Sequence, residues 1–142
     1  MSDKPTFTDY DQQLIANYRA HAGQLEGPFT ARTLLLLTTT GAKSGRAHTT
    51  PVAYTRDGDR LIIIASKNGA PEHPAWYHNL VAHPEVTVEL ADEQFTAHAV
   101  VAEGAERDRL YAQMAAKMPN FATYQQNTTR RIPVVVLERV AA

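Results

Sequence analysis

Three glycine-bearing or helix-opening segments carry the residues that could do chemistry. The first places Lys43, Ser44, Arg46 and His48 around Gly41 and Gly45, followed by Thr49, Thr50 and Pro51. Glycine lets backbone amides approach an anion closely, and these side chains add donors at the same place. The second runs Ser66, Lys67, Asn68, Gly69 and Ala70, again rich in donors and again containing glycine. The third runs His73, Pro74, Ala75, Trp76, Tyr77, His78 and Asn79, and it brings the only tryptophan. Proline at a helix start makes this a helix N-terminus, which stabilises negative charge. Together the segments suit a ligand with a flat ring and an anionic tail. Loops are polar in any case, and the residues alone leave that bland reading open.

Other chemistries are excluded by composition. There is no cysteine, so thiolate nucleophiles, cysteine-bound zinc, iron–sulfur clusters and redox dithiols are absent. No Gly-x-Gly-x-x-Gly opens a helix after a strand, and the 41–46 turn lacks the Gly-Lys-[Ser/Thr] of a phosphate-binding loop. The only serines are Ser2, Ser44 and Ser66, and none sits in a Gly-x-Ser-x-Gly elbow. Of the six histidines, His73, His78 and His83 are five apart, which is out of phase for one helix face. No metal site is expected.

The elements that must position these residues follow from periodicity. The chain has 142 residues, 44% apolar and 20% charged, which fits one domain with a real core. Residues 1–9 read as loose. Tyr10, Leu14, Tyr18 and Ala22 recur at i+4 with Ile15 beside them, so residues 10–23 read as an amphipathic helix with Thr8 as cap and Gly23 as stop. Gly27-Pro28 breaks the chain. Strands are expected over residues 33–39, 48–54, 61–66, 86–90, 95–101 and 132–140, with a hairpin turn at Asp57-Gly58-Asp59. Helices are expected over 74–82 and 106–118, ended by Pro84 and Pro119. Strands in hairpin-linked runs, not in βαβ alternation, predict an α+β fold: an antiparallel barrel of about six strands with three helices outside.

The net charge is −1, so bulk electrostatics exclude nucleic acid as a partner. Between residues 31 and 71, Arg32, Lys43, Arg46, Arg56, Arg60 and Lys67 face only Asp57 and Asp59. That is six cations against two acids, +4 locally, leaving −5 elsewhere. Such a region suits a small anionic ligand, although solvated loop charges give the same count. No run approaches the roughly 20 apolar residues that span a bilayer, and the first residues lack the apolar core of a signal peptide. The expectation is a cytoplasmic protein. A peripheral membrane contact through the first helix is the lesser reading, because its stripe is short and Asp9 and Asp11 are acidic.

At this point the sequence becomes recognisable. Residues 40–46, Thr-Gly-Ala-Lys-Ser-Gly-Arg, followed by Thr50-Pro51, resemble the first signature of the deazaflavin-dependent nitroreductase family. Residues 65–80, Ala-Ser-Lys-Asn-Gly-Ala-Pro-Glu-His-Pro-Ala-Trp-Tyr-His-Asn-Leu, resemble its second signature. Tyr124-Gln125 and the run from Thr128 through Arg130, Arg131 and Pro133 to Glu138 resemble its third. The likeness spans about residues 32–140.

The resemblance implies a flavin-type split β-barrel and the coenzyme F₄₂₀, a deazaflavin carrying a phosphate and an oligoglutamate tail. It assigns Lys43, Ser44, Arg46, His48 and Thr50 to the anionic tail. It assigns Pro51, Ser66, Lys67, Asn68, Gly69, Ala70, Trp76 and Asn79 to the ring and ribityl chain. Met118, Phe121 and Tyr124 would line the acceptor pocket, with Ser66 and Tyr124 as the catalytic pair that holds the developing anion or relays a proton. The implied activity is hydride transfer from reduced F₄₂₀ to a small organic electron acceptor: a quinone, an enone or another activated double bond. Nitro compounds fit less well, because relatives that reduce nitroimidazoles carry tyrosines where this chain has Met118 and Phe121. His48 stands where relatives often have arginine, so its charge varies near neutral pH. The alternatives are an FMN-dependent reductase on the same barrel and a non-catalytic cofactor- or lipid-binding module. A monomer or weak dimer is expected.

Overall fold

The computed structural model describes residues 9–20, 34–91 and 93–140, and for residues 9–11 and 68 the backbone alone. The readings of residues 1–8 as loose, of Thr8 and Gly23 as helix limits, and of the Gly27-Pro28 break lie outside the described residues; Asp9, read as the last loose residue, opens α1 instead. The element order is α1 (Asp9–Ala20), β1 (Leu34–Thr40), β2 (Ala47–Asp57), β3 (Arg60–Ile64), α2 (Ala75–Ala82), β4 (Glu85–Leu90), β5 (Glu93–Val101), α3 (Gly104–Lys117), α4 (Asn120–Gln126) and β6 (Val134–Arg139). The six strands close into an antiparallel barrel in the order β1-β2-β3-β6-β5-β4. The α+β split barrel expected from the sequence is therefore the observed fold.

Alternation decides what fills it. Leu35, Leu37, Val52, Tyr54, Leu61, Ile63, Val86, Val88, Val135 and Leu137 point inward as one core, and Trp76 and Leu80 of α2 join it. The outward residues of three strands are buried as well. Leu34 and Leu36 of β1 lie under Ile15 and Tyr18 of α1. Ile62 and Ile64 of β3, with Val134 and Val136 of β6, lie under Leu110, Met114 and Phe121 of α3 and α4. Strands covered on both faces are apolar at every position, which is why the sequence shows unbroken runs at 34–37, 61–65 and 134–137.

Strand β2 changes neighbours along its length. Residues 47–53 pair with β1, whereas residues 54–57 pair with β3. Beside its first half the barrel is split, and neither helical layer covers its outward residues Pro51 and Ala53 completely. Proline has no amide to offer a further strand, so Pro51 suits this open edge.

Several boundaries differ from expectation. The region after residue 118 forms a fourth helix, α4; Pro119, read as a stop, is its N-cap. A seven-residue helix shows too little periodicity to be seen in sequence. Helix α2 begins at Ala75 with Pro74 as its N-cap, and β6 begins after Pro133, whose missing amide makes it a poor strand residue. Helix α3 starts at Gly104, two residues early, and a 3₁₀ turn at Lys67–Gly69 follows β3.

Helix α1 is held by more than its apolar side. The Tyr18 hydroxyl, fully buried, donates to the Leu34 carbonyl at 3.0 Å and accepts the Ala91 amide at 3.0 Å. Tyr18→Phe strands both groups, so the expected loss is about 1–3 kcal/mol, and Tm falls by roughly 3–10 °C in thermal unfolding. An unchanged Tm would show that the hydroxyl does not fasten this helix.

Candidate functional site

A cleft of about 1620 Å³ opens over the outer half of β2. Its floor is His48, Thr50, Pro51, Val52 and Ala53, about 17 Å of strand at the ordinary rise per residue. The 41–46 turn closes one end. Leu34 and Ile64 flank the floor, the start of α2 supplies Pro74, Ala75, Trp76, His78 and Asn79, and α4 with its approach supplies Met118, Pro119, Asn120, Phe121 and Tyr124. The turn end is polar, with Lys43, Ser44, His48 and Thr50, while the α4 end is mostly apolar. The volume exceeds the several hundred cubic ångströms of an ordinary drug-sized pocket, so there is room for a long ligand and a second molecule.

The turn is built to present donors. The Gly41 amide donates to the Arg46 carbonyl at 2.7 Å, and the Gly45 amide donates to Gly41 at 3.0 Å. Ser44 Oγ accepts the Arg46 amide at 3.1 Å and lies 3.5 Å from His48 Nε2. A Cβ on Gly41 would stand 2.4 Å from Ser44 Oγ and 3.0 Å from His48 Nε2, so glycine is what lets these two side chains converge. Asn79 fixes the turn to α2. Its Oδ1 accepts the Ala42 amide at 3.0 Å, and its Nδ2 donates to Thr39 Oγ1 at 3.1 Å.

The segment after β3 supplies the inner wall. Ser66 is buried, lines the cleft, and its hydroxyl has no hydrogen-bond partner among the described residues. A buried hydroxyl with no partner among the described residues is placed to hydrogen-bond a molecule in the cleft. Lys67 follows in the left-handed region at φ 46, an uncommon conformation for a side-chain-bearing residue. Its Nζ reaches Glu72 Oε1 at 3.3 Å across an exposed gap. Gly69, at φ +81, is pressed against α4; an added Cβ would lie 2.9 Å from the Tyr124 carbonyl.

The α4 end rests on two tyrosines and a phenylalanine. Tyr111 donates its hydroxyl to the Phe121 carbonyl, and the Phe121 and Tyr124 rings meet edge to face at 5.3 Å. Burial raises the Tyr111 pKa, which keeps the hydroxyl a donor.

Most of the residues singled out by sequence do meet here. Lys43, Ser44, His48, Thr50, Pro51, Ser66, Lys67, Trp76, Asn79, Met118, Phe121 and Tyr124 all line one cleft. Three do not. Arg46 is exposed beyond the lining, and Gly69 and Ala70 face α4 and the loop interior. The Asn68 side chain lies outside the described residues. The floor residues Val52 and Ala53 and the flanks Leu34 and Ile64 carry no local signal, because nothing in sequence marks an apolar strand residue as a cleft wall, and Asn120 opens a helix too short to show in sequence. Among the described residues no cluster of three or more His, Asp or Glu could hold a metal, and no helix is long and apolar enough to cross a membrane.

Fold and cleft together define a split-barrel protein with one long cleft, polar at its turn end and mostly apolar at its α4 end. Comparison with known proteins narrows this. A profile of the F₄₂₀H₂-dependent quinone reductase family matches residues 11–139, and the chain belongs to that family. It is 44% identical over 108 residues to the F₄₂₀H₂-dependent quinone reductase Rv1261c of Mycobacterium tuberculosis, covering 74% of this chain and 72% of that one. A solved F₄₂₀H₂-dependent reductase, FDR-A, superposes with a TM-score of 0.70 at 38% identity, covering 75% of this chain and 95% of the other. A solved domain-swapped dimer superposes at 0.73 with 33% identity, covering 89% and 96%. The broader nitroreductase likeness thus resolves to the quinone reductase family, and the FMN alternative gains no support.

Gly69→Ala tests how tightly the inner wall is fixed to α4. The left-handed backbone alone costs an alanine about 1–2 kcal/mol, and the Tyr124 carbonyl blocks relaxation. The expected outcome is a clearly lower urea midpoint. A wild-type midpoint would mean that the loop and α4 do not touch.

Proposed function

We propose that this protein binds F₄₂₀H₂ along β2 and transfers its hydride to a quinone held against α4. When bound, the reduced deazaflavin supplies a hydride from C5 of its ring. The observation that carries the reading is the buried Ser66 hydroxyl, without a partner among the described residues, set where a donor turn, an apolar floor and a third wall converge. The Gly41 cradle adds to the fit, since it gathers Ser44 and His48 beside Lys43.

In this reading Lys43, Ser44, His48 and Thr50 hold the phosphate and glutamate tail, and Arg46 adds charge from the exposed turn. Pro51, Trp76 and the Ser66–Lys67 backbone orient the ring, with Asn68 beside them. Asn79 acts by fixing the turn, because both ends of its amide already have protein partners. Gly69 and Ala70 shape the loop. Met118, Phe121 and Tyr124 hold the acceptor and keep water out, which strengthens every polar contact inside. Ser66 Oγ and Tyr124 Oη are the hydroxyls that can donate to the acceptor oxygen as negative charge develops there. The apolar α4 end favours a quinone over a nitroimidazole. A monomer or weak dimer remains the proposed state.

Titrating F₄₂₀ and FMN in parallel, then mixing the loaded protein with menadione, tests the assignment. Binding of FMN in preference to F₄₂₀ would overturn it. Ser66→Ala is expected to lower kcat by about a hundredfold, within the range for loss of a positioned proton donor. Lys67→Ala should weaken F₄₂₀ binding by about tenfold, the order of one charged hydrogen bond. Its Tm should stay near wild type, since Lys67 is exposed. Phe121→Tyr should raise nitroimidazole reduction; an unchanged rate would remove α4 from the acceptor wall.

A further inference from the structure

One cation is committed to the site without lining it. Arg130 leaves the segment between α4 and β6 and reaches back some 60 residues to the inner wall. Its Nε donates to the Ala70 carbonyl at 2.8 Å, Nη1 to the Ala65 carbonyl at 3.1 Å, and Nη2 to the Ser66 carbonyl at 2.7 Å. Nη1 also meets His73 Nδ1 at 2.8 Å. Guanidinium can only donate, so Nδ1 is the acceptor and carries no proton. Burial lowers the His73 pKa, and the charges of Arg130 and His78 lower it further, which keeps that nitrogen free. Four of the five N–H groups of Arg130 thus grip residues 65–73.

No carboxylate lies within salt-bridge range of Arg130 among the described residues. Glu72 acts on this charge only from beyond hydrogen-bond range, and the direct partners are three carbonyls and a ring nitrogen; a partly buried charge held in this way is a poor way to stabilise a barrel. What it does achieve is geometry. The Ser66 carbonyl is held twice, by Arg130 and by the Gly69 amide at 2.9 Å, so the Ser66 peptide cannot turn. The other end of Arg130 is anchored to the acceptor wall: its carbonyl accepts Gln125 Nε2 at 2.8 Å. Gln125 Oε1 in turn accepts the Ile132 amide at 3.1 Å and buried Arg107 at 2.6 Å.

We propose that Arg130 is a positioning residue that locks the ring-side segment 65–73 to α4, setting the Ser66 hydroxyl and the acceptor wall at one fixed separation. This rests on the function proposed above, but the lock is a property of the free protein. Lysine is no substitute, because a point charge cannot reach three carbonyls and a ring nitrogen in one plane.

The test compares Arg130→Lys with Arg131→Ala, whose side chain pairs at the surface with Asp108. In cofactor-free protein, Arg130→Lys should speed hydrogen exchange at the Gly69 and Ala70 amides by at least about tenfold, the scale of lost charged hydrogen bonds. Exchange in the barrel strands should not change. With F₄₂₀H₂ and menadione, kcat should fall about tenfold or more while the KM for menadione stays within about twofold. Millimolar guanidinium should restore part of kcat to Arg130→Ala. Arg131→Ala should match wild type in every assay. Wild-type exchange at Gly69 and Ala70 in Arg130→Lys would overturn the lock, and so would a change in KM equal to that in kcat. Failure of the wild type to bind F₄₂₀ would overturn the function while the exchange result still judged Arg130.

Discussion

Strand β2 pairs with β1 over its first half and with β3 over its second, and the site exists because of that change. Twisted strands that close into a small barrel diverge where a strand changes neighbours. An edge left open there exposes backbone groups that must be covered, paired or offered to a ligand. Here the segment after β3, the start of α2 and helix α4 gather around the gap without filling it. The outward residues of β1, β3 and β6 are already covered by α1, α3 and α4, and the uncovered strip over the first half of β2 forms the floor of the cleft.

The walls come from four stretches far apart in sequence, and a few polar contacts set their mutual positions. Asn79 joins α2 to the donor turn, Gly69 lets the inner wall touch α4, and Gln125 gathers the segment that leads into β6. None of these hydrogen bonds contributes more than about 1–3 kcal/mol. The barrel's apolar core, with some thirty buried hydrophobic side chains, supplies the bulk of the stability. The polar contacts therefore act mainly on placement, which is what hydride transfer demands of its surroundings.

The basic region illustrates how sequence and structure divide the work. Its +4 charge is real, but only part of it faces the cleft. Lys43 and Lys67 line the cleft, and Arg46 stands just outside. Arg60 instead pairs with Asp57 and Glu106, and Arg56 lies over the Tyr54 ring near the hairpin. A count along the chain cannot separate the two groups, because charges close in sequence point to opposite ends of a strand.

Alternation, turn glycines and the apolar runs determined the six strands, the antiparallel barrel and three of the four helices described, because those signals are local. The donor turn at Lys43 and the segment at Ser66 were visible for the same reason: glycine and donor residues sit side by side. Only the tertiary structure brought those segments to one cleft and made helix α4 a wall. It also moved Arg46, Gly69 and Ala70 off the lining and brought Arg130 against the inner wall. These depend on which strand neighbours which and on hydrogen bonds spanning some 60 residues, and neither leaves a mark in local sequence.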